Sequence, residues 1–288
     1  MRKLFIPVFV FLCALAAHAQ TNETPRAFET ASYASGKLRI EAYIFKPQGK
    51  APFPVVIYNH GSRPGSERAE RPFAYVAKML ASSGYLVVVP ERRGYGKSEG
   101  TPFSEEIGED RGPRYVARLQ QEADDVIAAA EFLRTLPDAD SSRICVMGWS
   151  FGGIVSVLAA SRSDLFRAVV DQAGGALSWD SSPPLQSALK EAAGKIHVPL
   201  LGMVAENDRT TKSVKVVVDE TKKRGGAASL IIYPAFKPHE NPNGIAPGHM
   251  IFSADGIQLW EGALKDFLEK EMAPQKLVKL AIFLCPQA

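Results

Sequence analysis

Cysteine and histidine are both scarce. Three cysteines and five histidines are scattered over 288 residues, and none fall at zinc-ligand spacing, so no metal site is expected. Cys13 lies in an apolar N-terminal run, Cys145 inside an apolar strand pattern and Cys285 near the chain end. A bridge between the last two needs an unusual geometry, and both are read as free thiols. An excess of one charge is lacking too: 34 Lys and Arg against 31 Asp and Glu give a formal +3. That balance argues against nucleic acid as a partner. No apolar run reaches the ~20 residues that span a bilayer, so no stable membrane span is expected. Internal repeats and a long Gly/Ser/Pro linker are also absent, which favours one domain of ordinary globular composition.

The two ends stand apart. Arg2 and Lys3 precede an apolar run over 4–17, and Ala17-His18-Ala19 is a small-x-small cleavage site. Residues 1–19 therefore read as a signal peptide, the mature chain as periplasmic or secreted. Lipid attachment at Cys13 is disfavoured because Phe11 and Leu12 precede it where small residues are needed. Losing Arg2 and Lys3 lowers the formal charge from +3 to +1. At the other end, 275–288 carries an apolar stretch at 277–284, too short to span a membrane, which is read as packing or association.

Between them, 20–274 alternates strand and helix signals. Strands are predicted at 38–45, 54–59, 85–89, 144–147, 168–171, 199–204 and 230–233. Helices are predicted at 69–82, 154–160, 212–224, 257–270 and, most clearly, over 116–133. There Val116, Leu119, Ala123, Val126, Ile127, Ala130 and Leu133 step by three and four along one face. Apolar strands joined by helices predict an α/β fold, a mostly parallel sheet covered on both sides.

Two pentapeptides fit Gly-x-Ser-x-Gly: Gly148-Trp-Ser-Phe-Gly152 and Gly96-Lys-Ser-Glu-Gly100. Chance alone supplies ~0.13 such matches in this composition, so context must separate them. A nucleophile elbow needs a strand directly before the serine and a helix directly after, which lifts the hydroxyl clear of the sheet. Ser150 has both. Ser98 is followed by Gly100 and Pro102, and Glu91 stands where a phosphate loop needs glycine; it is read as loop.

A serine hydroxyl needs a base and an oxyanion site. Backbone N–H groups of Ser62, after the strand 54–59, and of Phe151 are the candidates for the oxyanion site. His60 is read as fixing the first of these loops. For the acid, Asp208 is preferred to Glu206, both at the end of the strand 199–204. For the base, His249 is preferred to His239. Gly248 allows a sharp turn before it and Met250-Ile251-Phe252 anchors the loop after it, and a general base must be held close to its nucleophile.

The stretches NHGS (59–62), PERRGYGKSEG (90–100), DDVIAAAEFLRTLPDADSSRICVMGWSFGG (124–153) and GMVAENDRTT (202–211), with a late histidine before the last helix, resemble the serine α/β-hydrolases. Within them they resemble the dienelactone-hydrolase and prolyl-oligopeptidase-like branch, over most of 30–272. The resemblance implies an α/β-hydrolase fold and cofactor-free acyl transfer through Ser150, His249 and Asp208. It implies a small-molecule ester, sometimes a peptide, as substrate. Dienelactone hydrolases carry cysteine at the elbow, so Ser150 shifts the expectation toward carboxylesterases; Arg93 is expected to be an ion-pair partner. Only 23 residues separate Gly175 from Pro199, too few for a lid domain, and Trp149, Phe151 and Trp179 are candidate pocket residues. The alternatives are an exopeptidase or amidase, and a non-catalytic binding protein of the same fold.

Overall fold

Strands that are apolar on both faces need cover on both sides, and the layering of this chain follows from that. The computed structural model describes residues 28–274 except 242. Eight strands run β1 (Glu29–Ser35), β2 (Leu38–Phe45), β3 (Phe53–Asn59), β4 (Leu86–Glu91), β5 (Ala139–Trp149), β6 (Ala168–Gln172), β7 (Leu200–Ala205) and β8 (Ala228–Tyr233). The helices are α1 (Ala74–Ser82), α2 (Phe103–Glu106), α3 (Pro113–Leu133), α4 (Phe151–Ala160), α5 (Pro183–Ala193), α6 (Lys212–Lys223) and α7 (Ile257–Glu271). One sheet has the order β1-β2-β4-β3-β5-β6-β7-β8. β2 is antiparallel to both neighbours, and β4, β3 and β5 to β8 are parallel.

Alternate residues of each strand feed opposite cores. Val55 and Ile57 of β3, with Ile144 and Val146 of β5, meet Leu119, Ala123 and Val126 of α3 and Ile154 and Leu158 of α4. Val56 and Tyr58, with Cys145 and Met147, lie in the other core with Leu80 of α1 and Trp260, Leu264 and Leu268 of α7. Cys145 is buried and has no disulfide partner among the described residues; burial pushes its pKa up.

The predicted elements form, with shifted ends. α1 begins at Ala74 rather than 69, because Pro72 biases Arg71 away from helix and Phe73 turns left-handed at φ 50°. β4 runs through Pro90 to Glu91, paired with β2. Three elements, β1, α2 and α5, were not predicted. β1 is a polar edge strand whose register puts Tyr33 opposite Ile40. α5 lies in the segment between Gly175 and Pro199, to which no element was assigned; Pro183 opens it and the Ser182 hydroxyl accepts Leu185 N–H at 3.3 Å. The expected signal peptide at 1–19, the 275–288 tail and Cys285 lie outside the described residues.

Candidate active site

Ser150 sits where β5 gives way to α4, at φ 59°, ψ −116°, a strained conformation for a residue with a side chain. Its N–H donates to the Gln172 carbonyl at 2.9 Å, and its carbonyl accepts Ile154 N–H at 3.1 Å, so β6 and the first turn of α4 hold the turn from both sides. Gly152 must be glycine, since a Cβ there would overlap the Asn59 carbonyl. The end of β3 is bound to α4 as well: Asn59 Nδ2 donates to Ser156 Oγ at 3.0 Å, and that hydroxyl donates to the Gly152 carbonyl at 2.7 Å.

The loop after β3 passes over this elbow. A Cβ on Gly61 would lie 3.2 Å from the Trp149 carbonyl oxygen and 3.3 Å from Ser150 Cβ, so Gly61-Ser62 runs against the serine. Phe151 opens α4, where an N–H has no intrahelical partner. Beneath the loop His60 is fully buried, stacked on Phe73 at 5.4 Å and edge-on to Tyr95 at 4.6 Å. Burial, then Arg92 and Arg63, lower its pKa. It is therefore a neutral imidazole, and Nδ1–H donates to the Gly61 carbonyl at 2.7 Å. Arg92 Nη2 donates to the His60 carbonyl at 2.9 Å and its Nε to Glu122 at 2.7 Å. Arg63 grips both oxygens of Glu91, whose pKa burial raises even so. Arg93 pairs with Asp125 at 2.8 Å. Ser98 belongs to this scaffold: buried, it accepts Glu41 N–H at 2.8 Å and donates to the Glu91 carbonyl.

Asp208 and His249 meet across the loops after β7 and β8. His249 Nδ1 is 2.8 Å from Asp208 Oδ2, and both side chains are buried. Asp208 Oδ1 accepts Arg209 N–H at 2.6 Å. The opposite ring nitrogen, Nε2, is buried without a partner among the described residues, and the ring lies 5.7 Å from that of Trp149, the neighbour of Ser150. His249 sits in a 3-10 turn, Pro247–Phe252. The Phe252 carbonyl accepts Tyr75 O–H at 2.8 Å and the Ile251 carbonyl Trp260 Nε1–H at 2.9 Å, so α1 and α7 both anchor the turn. Glu206 and His239 are not brought to this place. Glu206 accepts Ala235 N–H at 3.0 Å, and His239 is exposed, 3.2 Å from Asp255.

A cavity of about 220 Å³ opens beside Ser150, lined by Ser62, Phe103, Phe151, Leu177 and Arg111 among others. Two expectations need correction. Trp179 is buried in the core with Leu185 and Leu189, because α5 folds the 175–199 segment back onto α4 and carries the indole inward. Trp149 packs on His249 and does not line the cavity: it ends β5 against the core shared with α1 and α7, whereas the turn at Ser150 carries Phe151, the first residue of α4, to the core on the opposite side of the sheet. The outer wall comes instead from α2 and the loop 107–112, which had no periodic signal. Arg118 of α3 clamps that wall, donating to the Thr101 and Arg93 carbonyls at 3.0 and 2.8 Å and pairing with Glu106.

The prolyl oligopeptidase family matches residues 72–182, from the approach to α1 through the elbow to the start of α5. The quorum-quenching protein AidA of Acinetobacter baumannii is 27% identical over 151 residues, covering 52% of this chain and 45% of that protein. Pyrococcus horikoshii acylaminoacyl peptidase superposes with a TM-score of 0.63 at 22% identity, over 88% of this chain and 43% of the other. A Pyrococcus furiosus esterase superposes with a TM-score of 0.62 at 18% identity, over 85% and 92%. The chain thus spans less than half the length of AidA and of the peptidase, and nearly all of the esterase. The strand order and these neighbours give the chain the α/β-hydrolase fold, and its segment 72–182, which carries the elbow, is similar to the prolyl oligopeptidase family.

Proposed function

We propose that the chain hydrolyses small carboxylic esters through an acyl-enzyme on Ser150. The observation that carries the reading is His249, bonded through Nδ1 to buried Asp208 with Nε2 left without a partner. Asp208 fixes the tautomer that keeps Nε2 free to accept a proton, and stabilises the imidazolium once it has one. Ser150 Oγ attacks the carbonyl carbon as its proton passes to Nε2. The resulting oxyanion takes hydrogen bonds from Ser62 and Phe151 N–H. Nε2–H then protonates the leaving alcohol, and water, deprotonated by the same nitrogen, releases the acid.

Ester is preferred to peptide because the cavity is small and the P. furiosus esterase is covered almost end to end. The match to the prolyl oligopeptidase family supports an exopeptidase or amidase as the second reading. Export through residues 1–19 belongs to the same proposal. The test is a panel of short-chain aryl esters, acetylated sugars and aminoacyl amides, with Ser150→Ala as control. Ester turnover that falls ~10³-fold or more in Ser150→Ala is expected. Turnover of amides alone favours the second reading, and binding without turnover leaves a non-catalytic protein.

A further inference from the structure

The cavity beside Ser150 carries four charged side chains, and two are committed elsewhere. Arg63 is held by Glu91 and by the Glu67 and Ala69 carbonyls at 2.9 and 3.3 Å. Both carboxylate oxygens of Glu67 accept from Ser104, one from its N–H at 3.0 Å and one from its hydroxyl. Glu109 is fully exposed to solvent. Arg111 differs. Its guanidinium lies 5.2 Å over the Tyr115 ring, and Nη1 donates to the Gly108 and Asp110 carbonyls at 3.1 and 2.7 Å. The backbone is fixed too, since Ser182 O–H donates to the Arg111 carbonyl at 2.5 Å. Nε and Nη2 make no hydrogen bond among the described residues; the nearest carboxylate, Glu109, is 3.8 Å from Nη2. The side chain is only 30% exposed. A guanidinium immobilised at one nitrogen, with the rest of its donor fork free beside a cavity, is arranged to receive an oxygen anion.

The side of the scissile bond follows from the lining. Ser62 and Phe151, the proposed oxyanion donors, line this cavity and His249 does not. His249 protonates the leaving group, so the alcohol lies on its side and the acyl group lies in the cavity. The walls between are apolar, with Phe103 and Phe151 at 5.0 Å and Leu177 beyond them. We infer that Arg111 is a specificity-determining residue, and that the preferred acyl group is an aliphatic chain ending in a carboxylate, the half-ester of a dicarboxylic acid. This rests on the proposed ester hydrolysis. The chain's methylenes pack against the two phenyl rings while the distant carboxylate takes the Arg111 fork.

The experiment compares the p-nitrophenyl monoester of adipic acid with p-nitrophenyl hexanoate, which has the same chain length without the charge. The wild-type kcat/KM ratio should favour the adipoyl ester by roughly tenfold, the scale of a charge-assisted hydrogen bond in a partly solvated site. Arg111→Gln should erase that preference, Arg111→Lys should keep part of it, and 0.5 M salt should weaken it. Unchanged circular dichroism and melting temperature of the variants show that the fold is kept. A wild-type ratio of one or below, or a ratio unmoved by Arg111→Gln, overturns the inference while leaving ester hydrolysis standing. Hydrolysis of neither ester overturns the activity. Arg111 is then judged by calorimetric binding of monomethyl adipate against methyl hexanoate to the Ser150→Ala protein. Stronger binding of the adipate that Arg111→Gln abolishes supports the inference, and equal binding overturns it.

Discussion

Asp171 stands at the end of β6, beside the Gln172 carbonyl that holds Ser150 N–H, and it is fully buried. Oδ1 accepts Gly174 N–H at 2.8 Å, and Oδ2 has no partner among the described residues. Burial pushes its pKa up to about 7, only partly offset by the Gly174 N–H. In the unfolded chain the same carboxyl ionises near 3.8. Below about 3.8 both states hold the proton and the group is neutral to stability. Between there and about 7 the fold keeps a proton that the unfolded chain has released, so stability falls as pH rises, and above about 7 it levels off. The integrated loss is on the order of 4 kcal/mol. Asp171→Asn keeps the bond to Gly174 but cannot ionise. Its amide N–H groups meet no acceptor, at a cost of about 1–3 kcal/mol. The variant should therefore be less stable than wild type near pH 4.5 and as stable or more so near pH 8.5, with the curves crossing between. Urea unfolding midpoints of both proteins from pH 4.5 to 8.5 measure this. Because Glu91, which burial also raises, is common to both proteins, the difference isolates Asp171. Parallel curves over that range would refute the reasoning.

Ser98→Ala should leave ester turnover near wild type while lowering stability by about 1–2 kcal/mol in chemical denaturation, since its hydroxyl bonds Glu41 and Glu91 in the buried scaffold. A loss of turnover equal to that of Ser150→Ala would contradict the assignment. His249→Ala should lose as much as Ser150→Ala and the double variant hardly more, because such residues fail as a unit. His239→Ala, which removes only a surface pair with Asp255, should retain activity; the reverse pattern in steady-state kinetics would move the base to His239. N-terminal sequencing of the exported protein should begin near Gln20, and soluble protein that still starts at Met1 would contradict export.

What could be read from the sequence was local. The elbow is written in consecutive residues: an apolar strand, Gly148, Ser150, Gly152 and a helix at once. Steric demand there is satisfied within a few positions, and the structure places Ser150 in the strained turn those residues imply. The alternating layers were legible for the same reason, since the both-sided apolarity of β4, the Ile144–Met147 run of β5 and β7 states that they lie inside a covered sheet. His249 could be preferred over His239 because its anchors, Ile251 and Phe252, are adjacent in the chain. Polar β1 and the amphipathic α5 gave weaker signals, and their places depend on Ile40 of β2 and on the core beside α4. The indoles show the limit most plainly. An aromatic near the elbow suits pocket or core equally well by type, and only packing turned Trp179 inward and set Trp149 against His249. The cavity wall was decided by tertiary structure alone. Arg118 of α3 clamps α2 and the loop before it, and while Gly108, Asp110 and Tyr115 hold the Arg111 guanidinium from nearby in the chain, Ser182 fixes its backbone from a distant segment. The Ser182–Arg111 bond joins residues 71 positions apart, so its energy has no counterpart in the chain's local pattern and exists only once the fold has brought the two segments together.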